Sequence, residues 1–156
     1  MTFTEMFHVG VIVSDLDAAA AEFGELLGVS WAVPVREDLR VRTPAGGVRA
    51  NVRFTYSRGG SGTPLIELIE SLPGTPWWPG EGVTAVLHHI GFWTGSLGAD
   101  AARLSASGAP AEVCLPGRDG TLKLFTYHQL AHGPRIELVD TARRPAVLEW
   151  VNDEGS

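Results

Sequence analysis

Arg135-Ile136-Glu137-Leu138-Val139-Asp140 repeats the pattern of an earlier stretch, Leu65-Ile66-Glu67-Leu68-Ile69-Glu70. Each sets one carboxylate inside an otherwise apolar run, and each closes a half of the chain that opens with a histidine. The first half opens Phe7-His8-Val9-Gly10-Val11-Ile12-Val13, the second His88-His89-Ile90-Gly91-Phe92-Trp93. Working outward, further markers recur in the same order. Gly10 answers to Gly91, Gly28 to Gly108, and Phe54-Thr55-Tyr56 to Phe125-Thr126-Tyr127. The tyrosine-to-glutamate separation differs by one residue, which a hairpin loop absorbs. Chance seldom keeps so many markers in order, so the chain reads as a tandem duplication.

Each copy reads as β-α-β-β-β. Residues 7–13 are rich in Val and Ile, with Gly10 where something must approach the backbone closely. Ser14 fits an N-cap, with Asp17 three residues on. The helix it opens would bury Leu16, Ala20, Phe23 and Leu27 and stop at Gly28. Short strand-like pieces follow to Arg53, broken at Thr43-Pro44-Ala45-Gly46-Gly47. Phe54–Tyr56, a turn with Gly59, Gly60 and Gly62, and Leu65–Glu70 read as a hairpin. Pro73, Gly74, Pro76, Pro79, Gly80 and Gly82 mark a linker centred on Trp77-Trp78. The second copy then runs from His89–Thr94 through a helix over 97–107, capped by Ser96, to Ile136–Val139. The expected organisation is module 1 at about 5–70, linker 71–86, module 2 at about 87–140 and a tail 141–156. The tail is expected to pack outside or across a partner, without chemistry of its own.

Composition narrows the function. The chain has 156 residues, 44% hydrophobic and 19% charged, in the range of a folded domain and unlike a disordered one. A net charge of −6 argues against nucleic acid and anionic membranes as partners. No apolar run approaches the roughly 20 residues of a membrane span. A secretory signal is absent from residues 1–8, and one cysteine, Cys114, fits a reducing compartment. A cytoplasmic location follows as the expectation.

Alone, a histidine in a strand is most often a packed core residue and a glutamate a solvated one. The conjunction is what points to chemistry. Period two puts Glu67 on one face with Leu65 and Ile69, and Glu137 on one face with Arg135 and Val139. An unpaired carboxylate on an apolar face is costly, so a cation is expected there twice. His8, Glu67, His89 and Glu137 therefore form a candidate site for one divalent metal, assembled about a pseudo-twofold axis. His88 should point away from His89, His132 lies in a turn, and Cys114 has no electropositive neighbour to activate it. Tyr56, Trp93, Tyr127 and His128 are candidates to line a substrate pocket, as are Trp77, Trp78 and Phe92. Arg36, Arg40, Arg42 and Arg49 could serve an anionic substrate at its mouth.

The motifs His8-Val9-Gly10-Val11, Leu65-Ile66-Glu67-Leu68, His89-Ile90-Gly91-Phe92 and Gly133-Pro134-Arg135-Ile136-Glu137-Leu138 resemble the vicinal oxygen chelate superfamily, over about residues 5–140. This is the group of glyoxalases, bleomycin-resistance proteins and methylmalonyl-CoA epimerases. The resemblance implies an α+β fold: two tandem βαβββ modules forming a cup-shaped mixed β-sheet with helices on the outside, in one glyoxalase-like domain over 1–156. It also implies a metal (Zn, Ni, Co, Mn or Fe) in the cup and a homodimer. Gly47-Val48-Arg49-Ala50-Asn51-Val52 is similar to an epimerase segment, but the epimerases' catalytic Glu has no counterpart in Val41-Arg42-Thr43-Pro44-Ala45.

An octahedral ion with four protein ligands keeps about two positions open, which suits a small molecule with neighbouring oxygens. The expected activity is that of an isomerase or lyase working through a metal-bound enolate on a small carbonyl substrate. The resemblance implies that Glu137 or Glu67 loosens to act as the base. Three alternatives use the same fold: a metal-free binding or resistance protein, a ring-cleaving dioxygenase, and an enzyme transferring a thiol onto an epoxide antibiotic. The first should lose the ligand residues. The other two use three ligands rather than four.

Overall fold

A computed structural model describes residues 5–59 and 63–154. Two copies of one unit follow each other. The first is β1 (Met6–Val13), α1 (Leu16–Leu27), β2 (Val35–Thr43), β3 (Gly46–Tyr56) and β4 (Leu65–Glu70). The second is β5 (Ala85–Thr94), α2 (Leu97–Ala106), β6 (Ala111–Pro116), β7 (Leu122–Gln129) and β8 (Arg135–Asp140). A 3₁₀ turn (Thr141–Arg143) and α3 (Arg144–Asn152) end the described chain. The repeated β-α-β-β-β order is the one the duplication predicts, and the mixed α+β architecture is the one the resemblance implies.

The eight strands close on themselves in the order β1-β4-β3-β2-β6-β7-β8-β5. Within each unit the first strand lies parallel to the last, β1 to β4 and β5 to β8, while the hairpins are antiparallel. The units meet where β1 runs antiparallel to β5. On the far side β2 and β6 share the pair Arg42↔Cys114.

Strand alternation sorts the side chains into two layers. Leu65 and Ile69 face the interior of the sheet, in a core that also holds Ile12, Val52, Phe125 and Val139. Leu68 and Ile66 face outward under Leu16 and Phe23 of α1. Leu138 and Ile136 face outward under Leu97 and Ala101 of α2, the same arrangement in the second copy.

Several local expectations need correction. Asp15, not Ser14, caps α1, its carboxylate accepting from the Ala18 N–H at 2.9 Å. The Ser14 N–H instead donates to the Thr84 carbonyl. Leu27, on the last turn of the helix, is 67% exposed rather than buried. Gly28 ends the helix as expected, at φ 68°. The pieces between Trp31 and Arg53 are two long strands joined by a tight turn over residues 43–46. Gly60 and Gly62 of the expected turn lie outside the described residues.

The tail departs most from expectation. Helix α3 does not sit outside the sheet. Its Val147 and Val151 are buried in the interior core, and Trp150 packs edge-on against Phe54 and Tyr56. Among the described residues no helix is long and apolar enough to cross a membrane.

Candidate metal centre

The β1–β5 seam carries the centre. Its register sets Gly10 opposite His89 and His8 opposite Gly91. A Cβ on Gly10 would lie 2.0 Å from His89 Cε1, and one on Gly91 would lie 2.3 Å from His8 Cε1. Each glycine thus leaves the space that the other unit's imidazole fills, which is the close approach Gly10 suggested in the sequence. The parallel partners supply the acids: Glu67 of β4 pairs with Gly10, and Glu137 of β8 with Gly91.

His8, Glu67, His89 and Glu137 accordingly converge, all buried, with one ligand atom of each within 4.8 Å of every other. His8 Nε2 lies 2.8 Å from Glu137 Oε2 and 3.3 Å from Glu67 Oε2. His89 Nε2 lies 3.0 Å from Glu67 Oε2 and 3.2 Å from Glu137 Oε2. The two Nε2 atoms are 2.8 Å apart. Neighbouring donors around an octahedral ion at about 2.1 Å would be about 3.0 Å apart, so these spacings match a first-row divalent cation. Apart from the two imidazoles, both Oε2 atoms are buried without a partner among the described residues. Four buried donor atoms gathered this closely are what a cation satisfies, and two imidazoles with two carboxylates make a donor set that suits one.

Without an ion, the imidazoles and carboxylates shift each other toward their charged forms. Burial pulls His89 down, but Glu137 and then Glu67 outweigh it and push it up to about 9. His8 moves up for the same reasons. Burial raises both carboxylates, yet the facing imidazoles win and hold Glu67 and Glu137 below their ordinary range. Tyr56 and Tyr127, cross-strand neighbours of Glu67 and Glu137, are driven well above 10 by burial and by those carboxylates. Both tyrosines are therefore neutral hydroxyls at physiological pH.

A cavity of about 310 Å³ reaches the centre from the first unit's side. Glu137, Tyr56, Phe7 and Val139 line its inner part, Phe54, Val147 and Trp150 its walls, and Arg36, Glu37 and Arg143 its polar edge. Trp77 of the linker, 1% exposed, packs on Phe125 and Tyr127 and donates its indole N–H to the Tyr127 hydroxyl at 3.2 Å.

The other expected pocket residues separate. Tyr56 lines the cavity, while Tyr127 lies beside His89 with ring centroids 5.0 Å apart. Trp93 stacks behind Phe7 at 4.0 Å. His128 requires a correction. Strand parity turns it to the face opposite Tyr127, where its ring nitrogens meet the Ala109 carbonyl and the Thr126 hydroxyl, so it supports the sheet rather than the cavity. Trp78 is exposed. Of the four arginines, Arg36 reaches the cavity edge, and Arg40, Arg42 and Arg49 surround a separate groove beside Pro116.

His88 also departs from expectation. Gly10 pairs with His89 and Val11 with Leu87, so His88 is the extra residue of a β-bulge. The bulge breaks the alternation and brings His88 beside His89. Burial first, then His89 and Arg135, hold His88 at about 3, so it is neutral. The sequence reading also missed Glu37, Arg143, Val147 and Trp150. The apolar spacing of Val147, Trp150 and Val151 was the available signal, but it does not say where the helix docks.

A family model described as the Glyoxalase/Bleomycin resistance protein/Dioxygenase superfamily matches residues 7–127. Among solved structures, methylmalonyl-CoA epimerase from Mycobacterium tuberculosis is similar, with a TM-score of 0.60 at 21% identity, over 94% of this chain and 96% of that one. A variant methylmalonyl-CoA epimerase from Streptomyces coelicolor, in complex with 2-nitronate-propionyl-CoA, is similar at TM-score 0.58 and 23% identity, over 89% of this chain and 98% of that one. A mutant 4-hydroxymandelate synthase from Streptomyces coelicolor is similar at TM-score 0.60 and 22% identity, over 90% of this chain and 39% of that one. At these identities the likeness is one of fold. No curated protein matches the chain in sequence. With its duplicated units, its paired histidines and glutamates and a family match over most of its length, the chain belongs to the glyoxalase, bleomycin-resistance and dioxygenase superfamily.

Proposed function

We propose that this protein is a metal-dependent isomerase or lyase of small carbonyl compounds, with His8, Glu67, His89 and Glu137 as ligands of one divalent ion. The observation that carries the reading is the convergence of four buried donor atoms whose carboxylate oxygens have no other partner among the described residues. A bound divalent ion would supply Lewis acidity, polarising a carbonyl and stabilising the enolate left when an α-proton departs.

The chain's own residues divide the remaining work. Glu137 lines the cavity, which supports it as the ligand carboxylate that loosens to take the α-proton, while Glu67 and the two imidazoles would hold the ion. Phe7, Phe54, Val139 and Trp150 exclude water from the reacting carbon, which suits a substrate with a compact apolar body. Tyr56, kept neutral, can donate a hydrogen bond and cannot serve as base. Residues 41–45 offer no carboxylate, so nothing there supports methylmalonyl-CoA as the substrate.

A binding protein without a metal would have no use for four converging donors. A ring-cleaving dioxygenase remains the second reading, favoured by the likeness to 4-hydroxymandelate synthase. It needs about three open positions where four protein ligands leave about two. The test is proton exchange. The metal-loaded protein in deuterated water should exchange the α-proton of apolar α-hydroxy-ketones, Glu137→Gln should abolish exchange, and oxygen should not be consumed. No exchange across a panel of such ketones and 2-substituted acyl thioesters would sink the isomerase reading. We also propose a homodimer in solution, checked by light scattering.

A further inference from the structure

The two histidines of the centre are not equivalent. Both sit beside a bulge of the β1–β5 seam: Phe7 is the extra residue between Met6 and His8, and His88 the extra residue beside His89. Phe7 meets His8 edge-on at 88°, and His88 meets His89 edge-on at 89°. Phe7 lies 5.2 Å from Tyr56, and His88 lies 5.3 Å from Tyr127. The same place in the two units thus holds a phenyl ring in one and an imidazole in the other.

The imidazole makes one contact that a phenyl ring cannot. His88 Nδ1 lies 2.9 Å from His89 Nδ1, on the side of the ring away from the converging Nε2. For two imidazoles to share that distance, one nitrogen must carry the proton and the other accept it. If His89 Nε2 offers its lone pair to a cation, its proton sits on Nδ1, and His88 must be the acceptor with its own proton on Nε2. On the other side, His8 Nδ1 is buried with no hydrogen-bond partner among the described residues. His88 Nε2 is likewise buried without one, so the hydrogen bond that the buried imidazole makes is the one to His89.

We infer that His88 is a positioning residue that fixes the tautomer and ring orientation of His89 by accepting its Nδ1–H, so that His89 is the pre-set ligand of the pair and His8 the adaptable one. Outer hydrogen bonds of this kind orient metal-ligating imidazoles and raise their basicity. The inference rests on the metal reading above and adds a division of labour between the ligands.

Zinc titration of the full chain by calorimetry tests it, together with long-range ¹⁵N–¹H spectra that read histidine tautomers. In the zinc-loaded protein, His89 should carry its proton on Nδ1 and His88 on Nε2. His88→Phe, which gives the second unit the residue that the first carries at position 7, should weaken zinc binding about 10–100-fold. His88→Asn keeps an acceptor near the same place and should recover most of that loss, which a purely packing role would not predict. Unchanged affinity in His88→Phe, no recovery in His88→Asn, or a proton on His88 Nδ1 would each overturn the inference. If a variant fails to fold, the wild-type tautomers decide alone. If the wild type binds neither zinc, nickel, cobalt, manganese nor iron, the metal reading falls, and this inference with it.

Discussion

A single methyl group at Gly10 or Gly91 would occupy the place of an imidazole. Neither Gly10→Ala nor Gly91→Ala needs an unusual backbone angle, so the expected damage is local: the facing histidine swings away. Calorimetry should show divalent-ion affinity falling at least about 100-fold, beyond the 10–100-fold of a lost outer partner, while circular dichroism stays native. Retained affinity in either variant would mean the histidines do not converge as described. The shifted groups of the centre also make a pH prediction. His89 is raised from 6.5 to about 9, so its contribution to stability is complete below pH 6.5 and disappears as pH rises through about 9. The carboxylates are lowered from 4.5, so theirs is complete above pH 4.5 and disappears as pH falls through their lowered values. The metal-free protein should therefore lose thermal stability between pH 6.5 and 9. Ion binding requires neutral imidazoles, so apparent metal affinity should rise over the same interval. Melting curves with chelator and with excess ion, at pH 6.5 and 9, should diverge. Parallel curves would contradict the coupling.

At the scale of elements, each outer helix is held by one stripe of side chains. Leu138, 0% exposed, lies between β8 and α2, while Leu27 lies at the exposed end of α1. Leu138→Ala should cost about 2–5 kcal/mol, and Leu27→Ala less than about 0.5 kcal/mol, as read by urea denaturation. The Leu27 comparison tests the correction to α1: a large loss there would restore the face read from the sequence. Helix periodicity marks a stripe about 3.6 residues apart but does not say where the sheet beneath it ends. Helix α3 shows the same limit. Its buried Val147 and Val151 could have packed on any apolar surface, and only the closed sheet offered them the open interior beside Phe54 and Tyr56. Arg143 meets Glu37 of β2 at 2.8 Å, and the Trp150 indole N–H reaches the Val33 carbonyl at 3.0 Å. Those contacts make the tail a wall of the cavity.

At the scale of the whole molecule, the centre joins the two copies, since each contributes one histidine and one glutamate across the β1–β5 seam. An ion bound only by the folded form should therefore stabilise the whole chain. At 100 times its dissociation constant the gain is about 2.7 kcal/mol, which for a chain of this size raises Tm by about 5–11 °C. Calorimetry with and without the ion would measure it. No shift at saturating ion would mean that the donors do not form a site. The duplication, the element order of each copy and the four candidate ligands were legible in the sequence because two copies record the same constraint independently. A carboxylate repeated on an apolar face, opposite a repeated His-x-Gly, is local information that period two decodes. What only the tertiary structure decided lies where that period breaks or ends. A bulge turns His88 toward His89, strand pairing turns His128 away from the cavity, and α3 closes over the interior. Bulges and docking depend on the partner surface, which no single stretch of chain contains.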